Sequence, residues 1–256
     1  MVSNPRLLVV QNDAEDDARR LGDWLTDAGA DLHVVRAHDG EPLPDDLTGY
    51  RGLVVLGGAQ PAYDVDGEPA SPWFPRLRAL LREAVATRVA TLGVCLGGQL
   101  LAGALGGRVE PASSGPEIGA FLVAKRDVAE TDPLFAMLPF TPDVYQWHVD
   151  EITALPPGAV LLASSPRVPN QAFRLGDRVW GIQFHIECDV AMLRSWAASD
   201  DGSLARAGLD AEDVLARCAA VEDDVEEVWR PFAERFVALA AGRLSGRGIP
   251  LPVVNQ

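Results

Sequence analysis

Before Arg108 the chain alternates short aliphatic runs with stretches of helical spacing, and this alternation limits the fold more than any other feature. Leu7-Leu8-Val9-Val10 has no polar interruption, as a strand buried on both faces requires. Ala18, Leu21, Trp24, Leu25 and Ala28 follow at helical spacing, with Gly29 placed as a C-terminal cap. Leu32 to Val35 and Gly52 to Leu56 read as the next two strands. Pro72 to Thr87 is amphipathic through Leu77, Leu80, Leu81, Ala84 and Val85. Val89 to Val94 is a further buried strand, and Leu96 to Leu105 a helix closed by Gly106-Gly107. This order predicts an α/β fold, a mostly parallel central sheet with helices on both faces.

After Arg108 the rhythm shortens. Ala120 to Ala124, Val144 to Trp147, Val160 to Ala163, Gln171 to Leu175 and Val179 to Phe184 are strand candidates, separated by turns such as Leu155-Pro156-Pro157-Gly158. No linker intervenes, so they read as a mixed extension of the same sheet. From Asp189 the composition turns helical and acidic. Asp210 to Ala241 reads as one long helix, bent or broken near Pro231 and stopped by Gly242, and the segment 248–256 as an extended arm. The predicted division is residues 1–190 for the sheet domain and 191–256 for a helical extension. That extension packs on the same domain or forms an oligomer contact.

Charge narrows the function. The chain of 256 residues carries 22 basic and 37 acidic side chains, a net charge of −15. Such a balance argues against nucleic acid and against anionic membranes as partners, since both bind through positive charge. The sole lysine is Lys125, so Schiff-base chemistry would have to rest there. Cys95, Cys188 and Cys218 are widely spaced with no CxxC pair, and they read as reduced thiols. The short apolar run at Leu7 is followed at once by acids, unlike a secretory signal, and no segment approaches the ~20 apolar residues of a bilayer span. The expected setting is cytoplasmic. His33 and His38 have no partners at ligand spacing, so neither a metal nor another cofactor is expected. Glu222-Asp223-Asp224 with Glu226-Glu227 reads as a solvated helix face.

Three motifs carry chemistry. In Thr91-Leu92-Gly93-Val94-Cys95-Leu96-Gly97-Gly98-Gln99 a buried strand runs into a cysteine and turns directly into a helix. This is the G-x-nucleophile-x-G elbow with Cys95 in the nucleophile position. Its glycines permit a turn that Cβ atoms would block, and the helix N-terminus favours a thiolate. The alternative is a structural cysteine in a Gly-rich turn. A thiol nucleophile needs a base and an orienting acceptor. Gly181-Ile182-Gln183-Phe184-His185-Ile186-Glu187 offers both, with His185 and Glu187 on one face of an extended chain. Without the elbow, the same residues would be an edge-strand histidine and a solvated glutamate. Leu56-Gly57-Gly58-Ala59 places paired glycines after a strand, where a backbone N–H can face a developing oxyanion or simply end the strand.

Together these motifs resemble the class I, or triad, glutamine amidotransferases, in particular stand-alone members of GMP-synthase-like type. The resemblance covers Arg6 to Asp189. It is carried by Gly57-Gly58, the Cys95 elbow and His185-Ile186-Glu187, with 185 − 95 = 90 residues from cysteine to histidine. Glu117-Ile118-Gly119, Gln146-Trp147-His148-Val149-Asp150 and Asn170-Gln171-Ala172-Phe173 add to it. It implies Cys95 as nucleophile, His185 as acid and base, Glu187 as its orienter, and an oxyanion hole at the N–H groups of Gly58 and Leu96. It also implies substrate contacts at Gly57, Gln99, Ile118, Gly119 and His148, His148 being equally readable as structural. The chemistry implied is hydrolysis of the glutamine side-chain amide through a γ-glutamyl thioester, with ammonia passed to an acceptor synthetase subunit.

Departures exist. Ala59-Gln60 separate Gly57-Gly58 from Pro61 where many members have proline at once, and Ile186 stands where many have proline. No P-loop and no room for a synthetase domain follow, which keeps open a stand-alone hydrolase of another γ-glutamyl amine or peptide. A catalytically silent binding protein would be expected to lose one of the three reacting groups, and all three are present.

Overall fold

The computed structural model describes residues 4–245. In chain order the strands are β1 (Arg6–Gln11), β2 (Asp31–Arg36), β3 (Gly52–Val55), β4 (Ala90–Val94), β5 (Arg108–Pro111), β6 (Glu117–Leu122), β7 (Ala124–Lys125), β8 (Asp143–His148), β9 (Asp150–Ala154), β10 (Val160–Ser164), β11 (Ala172–Leu175) and β12 (Val179–Ile182). The helices are α1 (Arg19–Asp27), α2 (Phe74–Thr87), α3 (Leu96–Ala104), α4 (Val190–Ala198), α5 (Ser203–Ala207), α6 (Ala211–Ala220) and α7 (Glu222–Ala240).

Eight strands form the central sheet in the order β2-β1-β3-β4-β12-β11-β10-β7. The run from β2 to β12 is parallel, and β11, β10 and β7 continue it antiparallel. Strand alternation divides the core in two. Leu7, Val9, Val54, Leu92 and Val94 pack on one face with α1, α4, α6 and α7. Leu8, Val10, Leu53 and Val55 pack on the other with α2 and α3. Residues of β1 that are neighbours in sequence thus serve opposite layers, which is why the strand is an uninterrupted aliphatic run. Helix α2 buries Phe74, Leu77, Leu80, Leu81 and Ala84, and each large side chain contributes about 1.5–3 kcal/mol.

The second half differs from the sequence reading in three ways. Only β7, β10, β11 and β12 extend the sheet; β6 pairs with β8, and β5 with β9, as separate two-stranded ladders. The Val179 strand ends at Ile182, before Phe184. The long acidic helix is broken at Val221 instead of at Pro231, giving α6 and α7. The reason is docking: α6 packs against β6, whereas α7 packs against α1, β4 and β8. Proline inside a helix costs about 3 kcal/mol. Burial of Trp229, Phe232 and Phe236 on α7 outweighs that cost, and the Trp229 indole N–H also donates to the Asp143 carbonyl. The expected extended arm, 248–256, lies outside the described residues.

Glu222 departs from the solvated face expected of it. Its Oε1 accepts from Arg20 at 2.7 Å and from the Val190 N–H at 3.0 Å, tying α7 to α1 and α4. Asp223, Asp224, Glu226 and Glu227 are exposed. Among the described residues no helix is long and apolar enough to cross a membrane.

Candidate active site

The parallel strands deliver their carboxyl ends to one edge, where open α/β sheets bind ligands. Cys95 follows β4 there with φ 49° and ψ −110°, a conformation that costs a non-glycine residue about 1–3 kcal/mol. Neighbouring glycines make the turn possible. A Cβ on Gly93 would stand 2.5 Å from the Gly97 carbonyl oxygen, and one on Gly97 would run into the Val55 carbonyl. The Cys95 N–H donates to Ile182 O and its carbonyl accepts from Gln99 N, both at 2.9 Å, so the elbow is fixed to β12 and to α3. Leu96 opens α3, and its N–H lacks an intrahelical partner for geometric reasons.

His185 lies three residues past β12 in irregular chain. Its backbone is held by Tyr145, to whose carbonyl it donates at 2.8 Å. Nδ1 lies 2.6 Å from Glu187 Oε1, so the contact between the two does not depend on a continued strand. Glu187 Oε2 accepts from the Ile186 N–H at 2.9 Å, a donor that a proline there could not supply. Nε2 of His185 is buried without a hydrogen-bond partner among the described residues. Burial opposes the imidazolium, but the charges of Glu187 and Cys95 outweigh it and hold the His185 pKa well above the ordinary histidine range. The edge of Trp196, on α4, covers the ring at a centroid distance of 4.8 Å.

The glycine loop after β3 is locked from below. Buried Asn12 donates to Leu56 O at 2.8 Å and accepts from the Trp73 indole at 3.0 Å. Gly57 sits where any side chain would strike both Asp16 and His185, each 3.2 Å from its Cβ position. Gly58 packs against Leu96, whose side chain lies 2.8 Å from the corresponding point.

A cleft with a cavity volume of ≈ 230 Å³ opens over these elements. That is far more than the ~10–15 Å³ one water needs. Cys95, His185, Gly58, Gln99, Ile118 and His148 line it. Glu187 stands behind His185. Gly57 and Gly119 are not among the lining residues, and Gly119 faces Val214 on α6 instead. Gln99 spends its amide hydrogens on Asp150 O (3.1 Å) and Gln183 Oε1 (3.2 Å). His148 is both buried and at the cleft, with Nδ1 2.8 Å from Asp150 O and Nε2 3.3 Å from Glu117 Oε2. Among the described residues no group of three or more His, Cys, Asp or Glu could hold a metal ion.

Several residues of the site escaped the sequence reading, Gln183 and Asp16 among them. Gln183 directs its amide to the Cys95 sulfur at 3.8 Å, close to the outer limit for such a contact. Asp16, in the loop after β1, lines the same cleft as His185, and its Oδ2 and His185 Cε1 each lie 3.2 Å from the Cβ position of Gly57. An acid at the carboxyl end of a parallel strand was the available signal for the second. For Gln183 the signal was its place two residues before His185.

Comparison with known proteins agrees with the geometry. Residues 19–191 match the family model described as glutamine amidotransferase class-I. A GMP synthase [glutamine-hydrolyzing] of Porphyromonas gingivalis is 36% identical over 146 residues, covering 57% of this chain but 26% of that protein. The chain therefore spans about a quarter of the GMP synthases it matches. Gamma-glutamyl peptidase 4 of Arabidopsis thaliana is 32% identical over 167 residues, 64% of each chain. Among solved structures, a glutamine amidotransferase of Thermotoga maritima superposes with a TM-score of 0.80 at 27% identity, over 91% of this chain and 98% of its own. One from Methylobacillus flagellatus gives 0.74 at 30% identity, over 99% and 100%. With two thirds of its length matched by the family model and its fold shared with these enzymes, the chain belongs to the class I glutamine amidotransferases.

Proposed function

We propose that this chain hydrolyses γ-glutamyl amide bonds, with glutamine as the simplest substrate and Cys95, His185 and Glu187 as the reacting set. The observation that carries this reading is His185, anchored through Nδ1 to Glu187 while its unpartnered Nε2 is buried at the cleft that Cys95 lines. The Glu187 charge holds the His185 pKa above the usual histidine range, which favours the imidazolium that a departing nitrogen needs as its acid.

In this reading the Cys95 thiolate attacks the side-chain carbonyl carbon. The oxyanion formed is met by the N–H groups of Gly58 and Leu96. His185 gives its Nε2 proton to the departing nitrogen, the C–N bond breaks, and a γ-glutamyl thioester remains with ammonia or an amine released. Water then gives a proton back to His185 as its oxygen attacks, the C–S bond breaks, and glutamate leaves with the thiolate restored. The backbone at Ile118 is assigned to the α-amino or carboxylate end of the substrate, and His148, whose ring nitrogens are taken by Asp150 O and Glu117, to the wall beside it. Ammonia made this way would serve a separate acceptor subunit.

A second reading, hydrolysis of larger γ-glutamyl amines or peptides, is favoured by the open cleft and by the likeness to γ-glutamyl peptidases. The test is release of glutamate and ammonia from L-glutamine, with Cys95→Ala as the blank. Equal release from the native protein alone supports the first reading. Cleavage of substituted γ-glutamyl amides in preference to glutamine moves the assignment to the second. No cleavage of either overturns both.

A further inference from the structure

The cleft continues past His185 into a region that the hydrolysis itself does not use. Its wall there is built from the loop after β1 and from the segment between α4 and α5. Asp13, Glu15, Asp16, Asp200 and Asp201 line it, and no lysine or arginine does. Most of these acids have work within the protein. Asp13 accepts from the Glu15 N–H, and Glu15 from the Ser199 hydroxyl. Asp200 accepts from the Gly202 and Leu204 N–H groups, and Asp201 pairs with Arg206. Asp16 differs. It is only 8% exposed, and among the described residues its carboxylate has no hydrogen-bond partner.

A buried carboxyl without a donor must stay protonated or take a donor from outside the chain. Burial does push Asp16 up to about 7, the charge of His185 working against this and those of Glu187, Asp13 and Glu15 adding to it. Its position says which part of a substrate would supply the donor. Asp16 Oδ2 and His185 Cε1 each lie 3.2 Å from the Cβ position of Gly57, so they are no more than twice that distance apart. His185 is the group that hands a proton to the leaving nitrogen in the proposed reaction. Asp16 therefore belongs to the leaving-group side of the cleft, where His185 delivers its proton. Trp147 and Trp196, with ring centroids 5.8 Å apart, wall the same cleft with aromatic surface suited to methylene groups and to a cation.

We propose that Asp16 is the anchor of an amine subsite, and that the cleft takes γ-glutamyl amides whose leaving amine carries a second, positively charged nitrogen, a γ-glutamyl diamine. The proposal rests on the hydrolase reading for the direction of the substrate. Asp13, Glu15, Asp200 and Asp201 supply a negative field that draws the cation in, and Asp16 makes the contact.

The test compares two probes of one shape: the mono-γ-glutamyl amide of diaminobutane, and γ-glutamyl pentylamide, which has a methyl group in place of the ammonium. Binding of each to Cys95→Ala protein is measured by calorimetry at a pH above the Asp16 value. The charged amide is expected to bind about tenfold tighter or better. Asp16→Asn in the same background is expected to reduce that ratio to within about twofold, and Asp16→Glu to keep part of it. Both probes are read on one preparation, so a loss of folded protein cancels from the ratio. The first comparison needs no change at Asp16 at all. Equal affinities, or a preference that survives Asp16→Asn, overturn the subsite. Native protein that cleaves both amides with equal kcat/KM also overturns it and leaves the hydrolase reading intact. Preferential binding of the charged amide by a protein that cleaves no γ-glutamyl compound supports the subsite and overturns the hydrolase reading.

Discussion

Replacing Gly98 by alanine should destabilise the protein, against the usual sign of a glycine-to-alanine change within a helix. In an open helix that change gains about 1 kcal/mol. At Gly98 the added Cβ would stand 2.6 Å from the Ile182 carbonyl oxygen and 3.2 Å from that of Gly93. Both are backbone atoms of adjacent paired strands, β12 and β4, so neither can swing away as a side chain would. Overpacking of this kind costs about 1–3 kcal/mol, and a rigid contact places Gly98 at the upper end. The net loss is then about 1–2 kcal/mol, or a fall in Tm of roughly 2–8 °C for a chain of this size. Gly103 in the same helix is the control, because its Cβ would meet nothing within 4 Å. Gly103→Ala should raise Tm by a few degrees. The two variants are compared by thermal unfolding, with glutaminase activity alongside. If α3 yields by sliding off the sheet, Cys95 moves with it, and a displacement of about 1 Å costs on the order of 100-fold in rate. A Gly98→Ala protein as stable as Gly103→Ala would refute the close helix–sheet approach on which the elbow depends.

Glu187→Gln should let the His185 pKa fall, because the Glu187 charge is what holds it up against burial. The pair stabilises the fold fully below the unfolded histidine value near 6.5 and loses this as pH rises through the folded value. The stability difference between the two proteins should therefore shrink at high pH, and kcat should drop by about 10²–10⁴, as followed by chemical denaturation and steady-state kinetics. Asp16 has the same sign for a different reason. Its rise from 3.8 to about 7 corresponds to ~4 kcal/mol that the folded protein loses, relative to Asp16→Asn, as pH climbs through that window. Urea titrations from pH 4 to pH 8 should show this slope, with His185, Glu187, Asp13 and Glu15 as the charged neighbours that modify it. Asp132→Ala should cost about 2–4 kcal/mol, since this buried carboxylate accepts from Arg174 at 2.7 Å, from the Leu134 and Phe135 N–H groups and from the Trp180 indole, and its loss leaves those donors unpaired. A fall in Tm of only one or two degrees would show that the network is dispensable.

The first half of the fold was legible because each parallel strand is buried on both faces and so reads as an aliphatic run. Leu7 to Val10 and Val89 to Val94 could be placed almost to the residue for that reason. The second half was less so. β5 and β9 are short, half-exposed ladders with Arg108, Glu110 and Glu151 in them, and nothing in their pattern separates them from loop. The break at Val221 depends on which surfaces α6 and α7 dock against, which local propensity does not encode. In the candidate site, the glycines and strand ends around Cys95 and His185 are what mark them in the sequence, and the structure brings both to one cleft. Asp16 was not legible, because an acid among Asp13, Glu15 and Asp17 reads as solvent-facing until β1 and β3 bring it and His185 to the two sides of Gly57.

Trapping of the acyl-enzyme tests the central claim most directly. The protein would be mixed with an activated γ-glutamyl amide, quenched in acid after a few seconds, digested, and analysed by mass spectrometry of its cysteine peptides. The account predicts a γ-glutamyl group on the peptide holding Cys95, absent from His185→Ala, and none on Cys188 or Cys218, neither of which lines the cleft. Turnover without an adduct on Cys95, or an adduct on another cysteine, would contradict it.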